Sequence, residues 1–199
     1  MVSIKGLSFL YPCTVKSEEH HIESVFLNHM KDPTGNKFHG TLRGIQPVLL
    51  EGFPFQFPLP ISGNSGGPKP GNGNIDILSR RGLGKGTKIS IWELKRPKTT
   101  GHAIEQAYIY AVTLLKMLRT PKTGHIWYRD IIGFGTDVPD RLTVECVVAV
   151  SIATQKNRDV FEEKLKTFKE NNSLLVGGDT INFFIAHYEK DSMAVTLVG

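Results

Sequence analysis

Cysteine is scarce in this chain of 199 residues, which has only Cys13 and Cys146. Two cysteines exclude a disulfide scaffold, which needs many more in a small domain. Cys146 sits inside an apolar run and reads as a reduced, buried small hydrophobe. Apolar runs are short, and none approaches the roughly 18 residues that a membrane span requires. The first 13 residues lack a clean apolar stretch and a small-residue cleavage site, so the expectation is a soluble, cytoplasmic protein. No C-x-x-C and no H-E-x-x-H occurs, which argues against zinc. Gly82-Leu83-Gly84-Lys85-Gly86-Thr87 fails as a P-loop: its first Gly is missing, Gly86 follows the Lys, and a strand follows where a helix should.

What is present is an ordinary globular composition, 40% hydrophobic and 22% charged, long enough to bury a core. One domain over residues 1–199 is expected. A helix is predicted over about Ser17 to Lys31, with Glu18 and Glu19 in its first turn and Ile22, Val25, Phe26 and Met30 at helical spacing. Residues 45–61 are apolar but rich in Pro, and allow one short strand near Val48 to Leu50. The Gly, Pro, Asn and Ser of residues 62–74 predict a loop. Strands are predicted at Ile75–Arg80 and Lys88–Lys95, joined by a Gly-rich turn. A helix follows from about His102 to Arg119, apolar nearly all round and so buried on two sides. Ile126–Phe134 and Leu142–Ala153 are apolar, the latter a long buried strand, and both Trp92 and Trp127 are expected in core strands. Asn157 to Glu170 is an amphipathic helix with Val160, Phe161, Leu165 and Phe168 inward, ended by Gly177-Gly178. Thr180–Tyr188 and Met193–Val198 make a final strand pair. This order predicts an α/β or α+β fold, a mixed β-sheet flanked by helices.

The net charge of +5 is concentrated in residues 80–98, where Arg80, Arg81, Lys85, Lys88, Lys95, Arg96 and Lys98 face one acid, Glu93. Such a cluster is either a solvated turn or a phosphate-binding surface. If the hairpin is symmetric about Gly84-Lys85, Arg81 opposes Lys88 and Asp76 opposes Glu93. The two carboxylates then lie with Cβ atoms about 5 Å apart, and Lys95 shares the face of Glu93. Facing carboxylates in apolar strands are costly unless neutralised. Lys95 can do part of that, and Mg²⁺ can do more, because it takes carboxylate oxygens and keeps waters. A metal of that kind polarises a phosphoryl oxygen and activates water. The chemistry that fits is phosphodiester hydrolysis.

The segments GNGNIDIL, ISIWELKRP and HAIEQAYIYAVTLL together resemble the core of the PD-(D/E)XK nuclease superfamily, the restriction-endonuclease-like fold. Asp76 matches the first acid, with Ile75 where the name motif has Pro. Glu93-Leu94-Lys95 matches (D/E)-X-K. Gln106 and Tyr110 match the Q-x-x-x-Y pattern of the RecB-like branch. The resemblance covers about residues 17–155, leaving 157–199 as a C-terminal helix and strand pair. It implies a metal-dependent nuclease using Mg²⁺, or Mn²⁺ in its place. Asp76, Glu93, Lys95 and Gln106 would be catalytic. Asp76 and Glu93 would hold the metal with an acid, or in the RecB-like branch a His, of the first helix. Glu18, Glu19, His20, His21 and Glu23 compete for that role, and Glu23 is favoured because Val25, Phe26 and Met30 follow it. Arg80, Arg81, Lys85, Lys88, Arg96 and Lys98 would meet nucleic acid, most readily DNA. Because a double-strand break often needs two sites, a homodimer is compatible. The alternatives are a nucleic-acid-binding protein that does not cut, and an interaction protein docking through residues 54–74.

Overall fold

The structure, a computed structural model, describes residues 22, 23, 26, 27, 30, 45–50, 56–59, 73–81, 88–95, 102–151, 154–188 and 195–199. Ile22, Glu23, Phe26, Leu27 and Met30 are helical (α1). The strands are β1 (Ile45–Pro47), β2 (Phe57–Pro58), β3 (Asn74–Ile75), β4 (Ile77–Arg81), β5 (Lys88–Lys95), β6 (Thr143–Val150), β7 (Leu175–Val176), β8 (Asp179–Tyr188) and β9 (Val195–Val198). The longer helices are α2 (Ala103–Leu118) and α4 (Gln155–Asn171), with a short helix α3 (Gly124–Ile126) between α2 and β6. Seven strands form one mixed sheet in the order β1-β4-β5-β6-β8-β7, with β9 also on β8, while β2 and β3 pair separately.

Two crossovers set the layers. β5 and β6 run parallel, as do β6 and β8, so α2 and α4 are crossover helices. Both connections step the same way across the sheet, and right-handed crossovers then put both helices on one face. There, Ala107, Ala111 and Leu115 of α2 and Phe161 and Leu165 of α4 share a core with Ile89, Ile91, Val144 and Phe183. α1 covers the other face, with Phe26 and Leu27 among Ile77, Trp92, Leu94 and Tyr188. Phe26 meets Tyr188 edge-on, ring centres 5.3 Å apart. Strands buried on both sides need continuous apolar runs, which is why β6 reads Val-Glu-Cys-Val-Val-Ala-Val. Cys146 is buried within it, and burial pushes its thiol up, as suits an inert core residue.

Several boundaries differ from the sequence expectation. The strand expected at Val48–Leu50 is β1, three residues earlier. It is the sheet edge, where Pro47 can be accommodated. The expected strand Ile75–Arg80 is broken by a bend at Asp76. Trp127 is not in a strand, because the chain from Gly124 is helical and widens to a π turn over Trp127–Ile131. Val160 is 52% exposed rather than inward. Gly177-Gly178 does not end α4, which stops at Asn171; both glycines have positive φ, 59° and 95°, and make the two-residue turn between β7 and β8. Glycine is favoured there because such a turn needs φ > 0 at both positions. Among the described residues no helix is long and apolar enough to cross a membrane.

One ion pair ties the segment after α2 to β8. The buried Asp179 carboxylate accepts from Arg119 Nε at 2.8 Å, from Arg119 Nη2, and from the Leu142 backbone N–H at 2.8 Å. Arg119 also donates to the carbonyls of Pro139 and Asp140. Burial alone would raise the Asp179 carboxyl, but the Arg119 and Leu142 donors outweigh it and hold it below the usual value. A depressed folded-state value means stability that is present above the unfolded carboxyl's titration near pH 4 and lost as pH falls through the folded one. Asp179→Ala should cost about 2–3 kcal/mol at pH 7, discounted for the partial exposure of Arg119. Urea denaturation at pH 7 and pH 3 checks this: the difference between parent and variant should shrink at pH 3, and an unchanged difference would contradict it.

Candidate active site

The hairpin register expected from its symmetry is present in five pairs, from Ile77–Trp92 to Arg81–Lys88. The expected Asp76–Glu93 pair, one step beyond Ile77–Trp92, is not among them, because the chain bends at Asp76. Two steps beyond, the register would set Ile75 opposite Leu94. Ile75 instead pairs with Phe57 in the small sheet, and Asp76 Oδ2 accepts the Leu94 backbone N–H at 2.7 Å. A carboxylate oxygen thus stands where a strand carbonyl would, which satisfies a buried donor.

Glu93 precedes Leu94 and is fully buried. Its Oε1 lies 2.5 Å from Lys95 Nζ. The two residues alternate with Leu94, whose side chain faces the α1 core, so they project toward α2. They sit at the carboxyl end of a parallel strand, the edge where open α/β sheets carry their ligands. Across from them, Gln106 Nε2 donates to Tyr110 Oη at 2.8 Å on α2. Tyr110 lies on the buried stripe of α2 with Ala103, Ala107 and Leu114, while Ile109 beside it is exposed. Burial is the main cause that lifts the Tyr110 phenol above its ordinary value of 10.0. The hydrogen bond from Gln106 opposes this, the charges of Glu93 and Asp76 add to it, and Lys95 opposes it. Those influences place the Gln106–Tyr110 pair in the field of all three hairpin residues.

From the opposite layer, Glu23 of α1 is buried too, at 1% exposure. Gln56 links it to the hairpin: its Nε2 lies 2.9 Å from Glu23 Oε1 and 3.5 Å from Asp76 Oδ1. The Gln56 backbone N–H also donates to the Asp76 carbonyl at 3.1 Å. Its φ is +56°, a region that non-glycine residues other than Asn, Asp and His seldom enter. Gln56 gives no signal in the sequence, being one residue in a Pro-rich apolar stretch. Its place opposite Asp76 follows from the β2–β3 pairing.

The basic residues behave differently from the acids. Arg81 Nη1 lies 2.8 Å and Lys88 Nζ 3.4 Å from the buried Glu145 of β6. Arg80 Nη1 donates to the Gly133 carbonyl. Within the basic cluster of residues 80–98, the three described members outside the E-x-K segment therefore have partners within the chain. Arg81 and Lys88 stand at the far end of the hairpin from Glu93, about 16 Å along the strand at 3.3 Å per residue. Lys85, Arg96 and Lys98, the competing Glu18, Glu19, His20 and His21, and most of the loop 62–74 lie outside the described residues.

Asp76 and Glu93 offer hard oxygens of the type that Mg²⁺ or Mn²⁺ takes, one or two carboxylates being enough when water and phosphate complete the shell. Among the described residues, no group of three or more His, Cys, Asp and Glu side chains is arranged to hold a metal ion. In comparisons with protein families, with curated proteins and with solved structures, no match was found.

The Tyr110 assignment has a direct check. In an ultraviolet pH titration at 295 nm, the phenol missing from Tyr110→Phe should be one that ionises above pH 10. A missing phenol that titrates at or below 10 would contradict its burial beside two carboxylates.

Proposed function

We propose that this chain is a Mg²⁺-dependent nuclease that hydrolyses phosphodiester bonds, in DNA, on a restriction-endonuclease-like core. The observation that carries the reading is the Asp76–Leu94 bond, which locks an aspartate against the strand segment bearing Glu93 and Lys95 at the carboxyl edge of the sheet. The order of parts also supports it: a helix with a buried acid, a hairpin with Asp and then Glu-x-Lys, and a following helix whose Gln and Tyr face the hairpin.

Asp76 and Glu93, with Glu23 of α1, would hold the ion, whose contribution is to polarise a phosphoryl oxygen and ease deprotonation of water. Lys95 supplies a positive charge beside Glu93. Its ammonium can turn to a phosphate oxygen as negative charge develops there, an interaction worth more in the transition state than in the ground state. Tyr110 stays protonated and can donate a hydrogen bond, with Gln106 fixing its hydroxyl. Phosphate contacts near the acids would come from Arg96 and Lys98, which follow Lys95 in sequence, rather than from Arg81 and Lys88, which serve Glu145.

A nucleic-acid-binding protein that does not cut is the second reading. It is favoured by the lack of a three-donor metal group among the described residues, with Lys95 then serving as the counter-ion of Glu93.

Cleavage of plasmid and linear DNA with Mg²⁺ or Mn²⁺, alongside calorimetric Mn²⁺ titration, separates the two. Lys95→Ala should lower the cleavage rate by about 100-fold or more, the scale for losing one transition-state stabiliser, and keep Mn²⁺ binding within a few-fold. Asp76→Ala should lose both. Full cleavage by Lys95→Ala would remove Lys95 from the mechanism, and parent protein that neither binds Mn²⁺ nor cuts would leave the second reading.

A further inference from the structure

The geometry points to Gln56 as a positioning residue that bridges the acid of α1 and the acid of the hairpin and competes with a divalent cation for their oxygens; this rests on the metal-site reading above. Three observations meet at this residue. Its side-chain amide reaches both Glu23 Oε1 and Asp76 Oδ1. Its backbone N–H is bonded to the carbonyl of the same Asp76. It holds a left-handed φ of +56°, which costs a non-glycine residue of order 1 kcal/mol. A glycine would relieve that strain, yet a glycine could not span the two acids.

The chemistry follows from what an amide can and cannot do. Gln Nε2 carries two donor hydrogens and no charge, so one amide can serve two carboxylates at once. Buried acids close together repel, and each needs donors. The amide meets part of that need and sets how far Glu23 stands from Asp76. A divalent cation seeks the same oxygens with full charge. To ligate Glu23 Oε1 and Asp76 Oδ1 together, the cation has to displace the amide. Gln56 therefore weakens metal binding while it stabilises the acids without metal. It acts through Glu23 and Asp76.

Gln56→Gly keeps the turn and removes the amide. Gln56→Asn also tolerates a left-handed φ but is one methylene shorter, and it guards against misfolding of the glycine variant. Calorimetric titration with Mn²⁺ at pH 7 should show both variants binding about tenfold more tightly than the parent, the scale of one hydrogen bond to a charged group. Their melting temperatures without metal should fall, and saturating Mn²⁺ should restore them to the parent's. A dissociation constant unchanged within twofold, or weakened, in a folded variant overturns the role of Gln56 alone. A parent protein that takes up no Mn²⁺ overturns the metal-site reading, and the competition falls with it.

Discussion

A single backbone amide, the N–H of Leu94, organises the polar end of this sheet by bonding to the Asp76 carboxylate. Because that bond stands in for a strand-to-strand bond, the chain can bend at Asp76 and release Ile75 to pair with Phe57. The new pairing brings Gln56 opposite Asp76, and Gln56 reaches the Glu23 carboxylate on the helix of the other layer. Glu93, one residue before Leu94, is carried into the same region by the strand itself. One hydrogen bond thus joins the bend at Asp76 to the strand segment that carries Glu93, and Gln56 joins the same bend to Glu23.

Buried carboxylates occur elsewhere in the chain, and their surroundings differ. Glu145 meets both Arg81 and Lys88. Asp179 takes a guanidinium and a backbone N–H. Those acids are bound by fixed cations and hold strands and loops in place. In the hairpin region, Lys95 pairs with Glu93 and the Gln56 amide, a neutral donor, bridges Glu23 and Asp76. A neutral donor gives way to a cation more readily than a guanidinium does, because charge-assisted hydrogen bonds are about twice as strong. Among the described residues the buried acids thus differ in partner: Glu145, Asp179 and Glu93 meet side-chain cations, while an amide bridges Glu23 and Asp76.

Much of the architecture was legible in the sequence because periodicity reports burial directly. β6 is rich in Val, α2 has an unbroken apolar stripe, and the hairpin's symmetric turn gave the register of Ile77–Arg81 on Lys88–Trp92. The misplacements have local causes. Pro47 is compatible with an edge strand, whose position in a sheet no local pattern reveals. The apolar residues around Trp127 suit a helix as well as a strand. Of the site, Asp76, Glu93 and Lys95 could be named from spacing, and Glu23 from the apolar residues after it. Gln56 could not, because its role depends on a bend at Asp76 and on the pairing of two two-residue strands. Nor could the partner of Arg81 and Lys88 be named, because Glu145 reaches them only through the parallel pairing of β6 with β5.

The central claim is that Asp76 and Glu93 together hold a divalent ion. A crystal soaked in Mn²⁺ and measured at the manganese edge tests it most directly. The account predicts an anomalous peak about 2.0–2.5 Å from a carboxylate oxygen of each residue, the range for such cations, with Gln56 Nε2 moved off Asp76. A Mn²⁺ peak elsewhere on the protein, with the Asp76–Gln56 contact and the Glu93–Lys95 pair unchanged at saturating Mn²⁺, would contradict it.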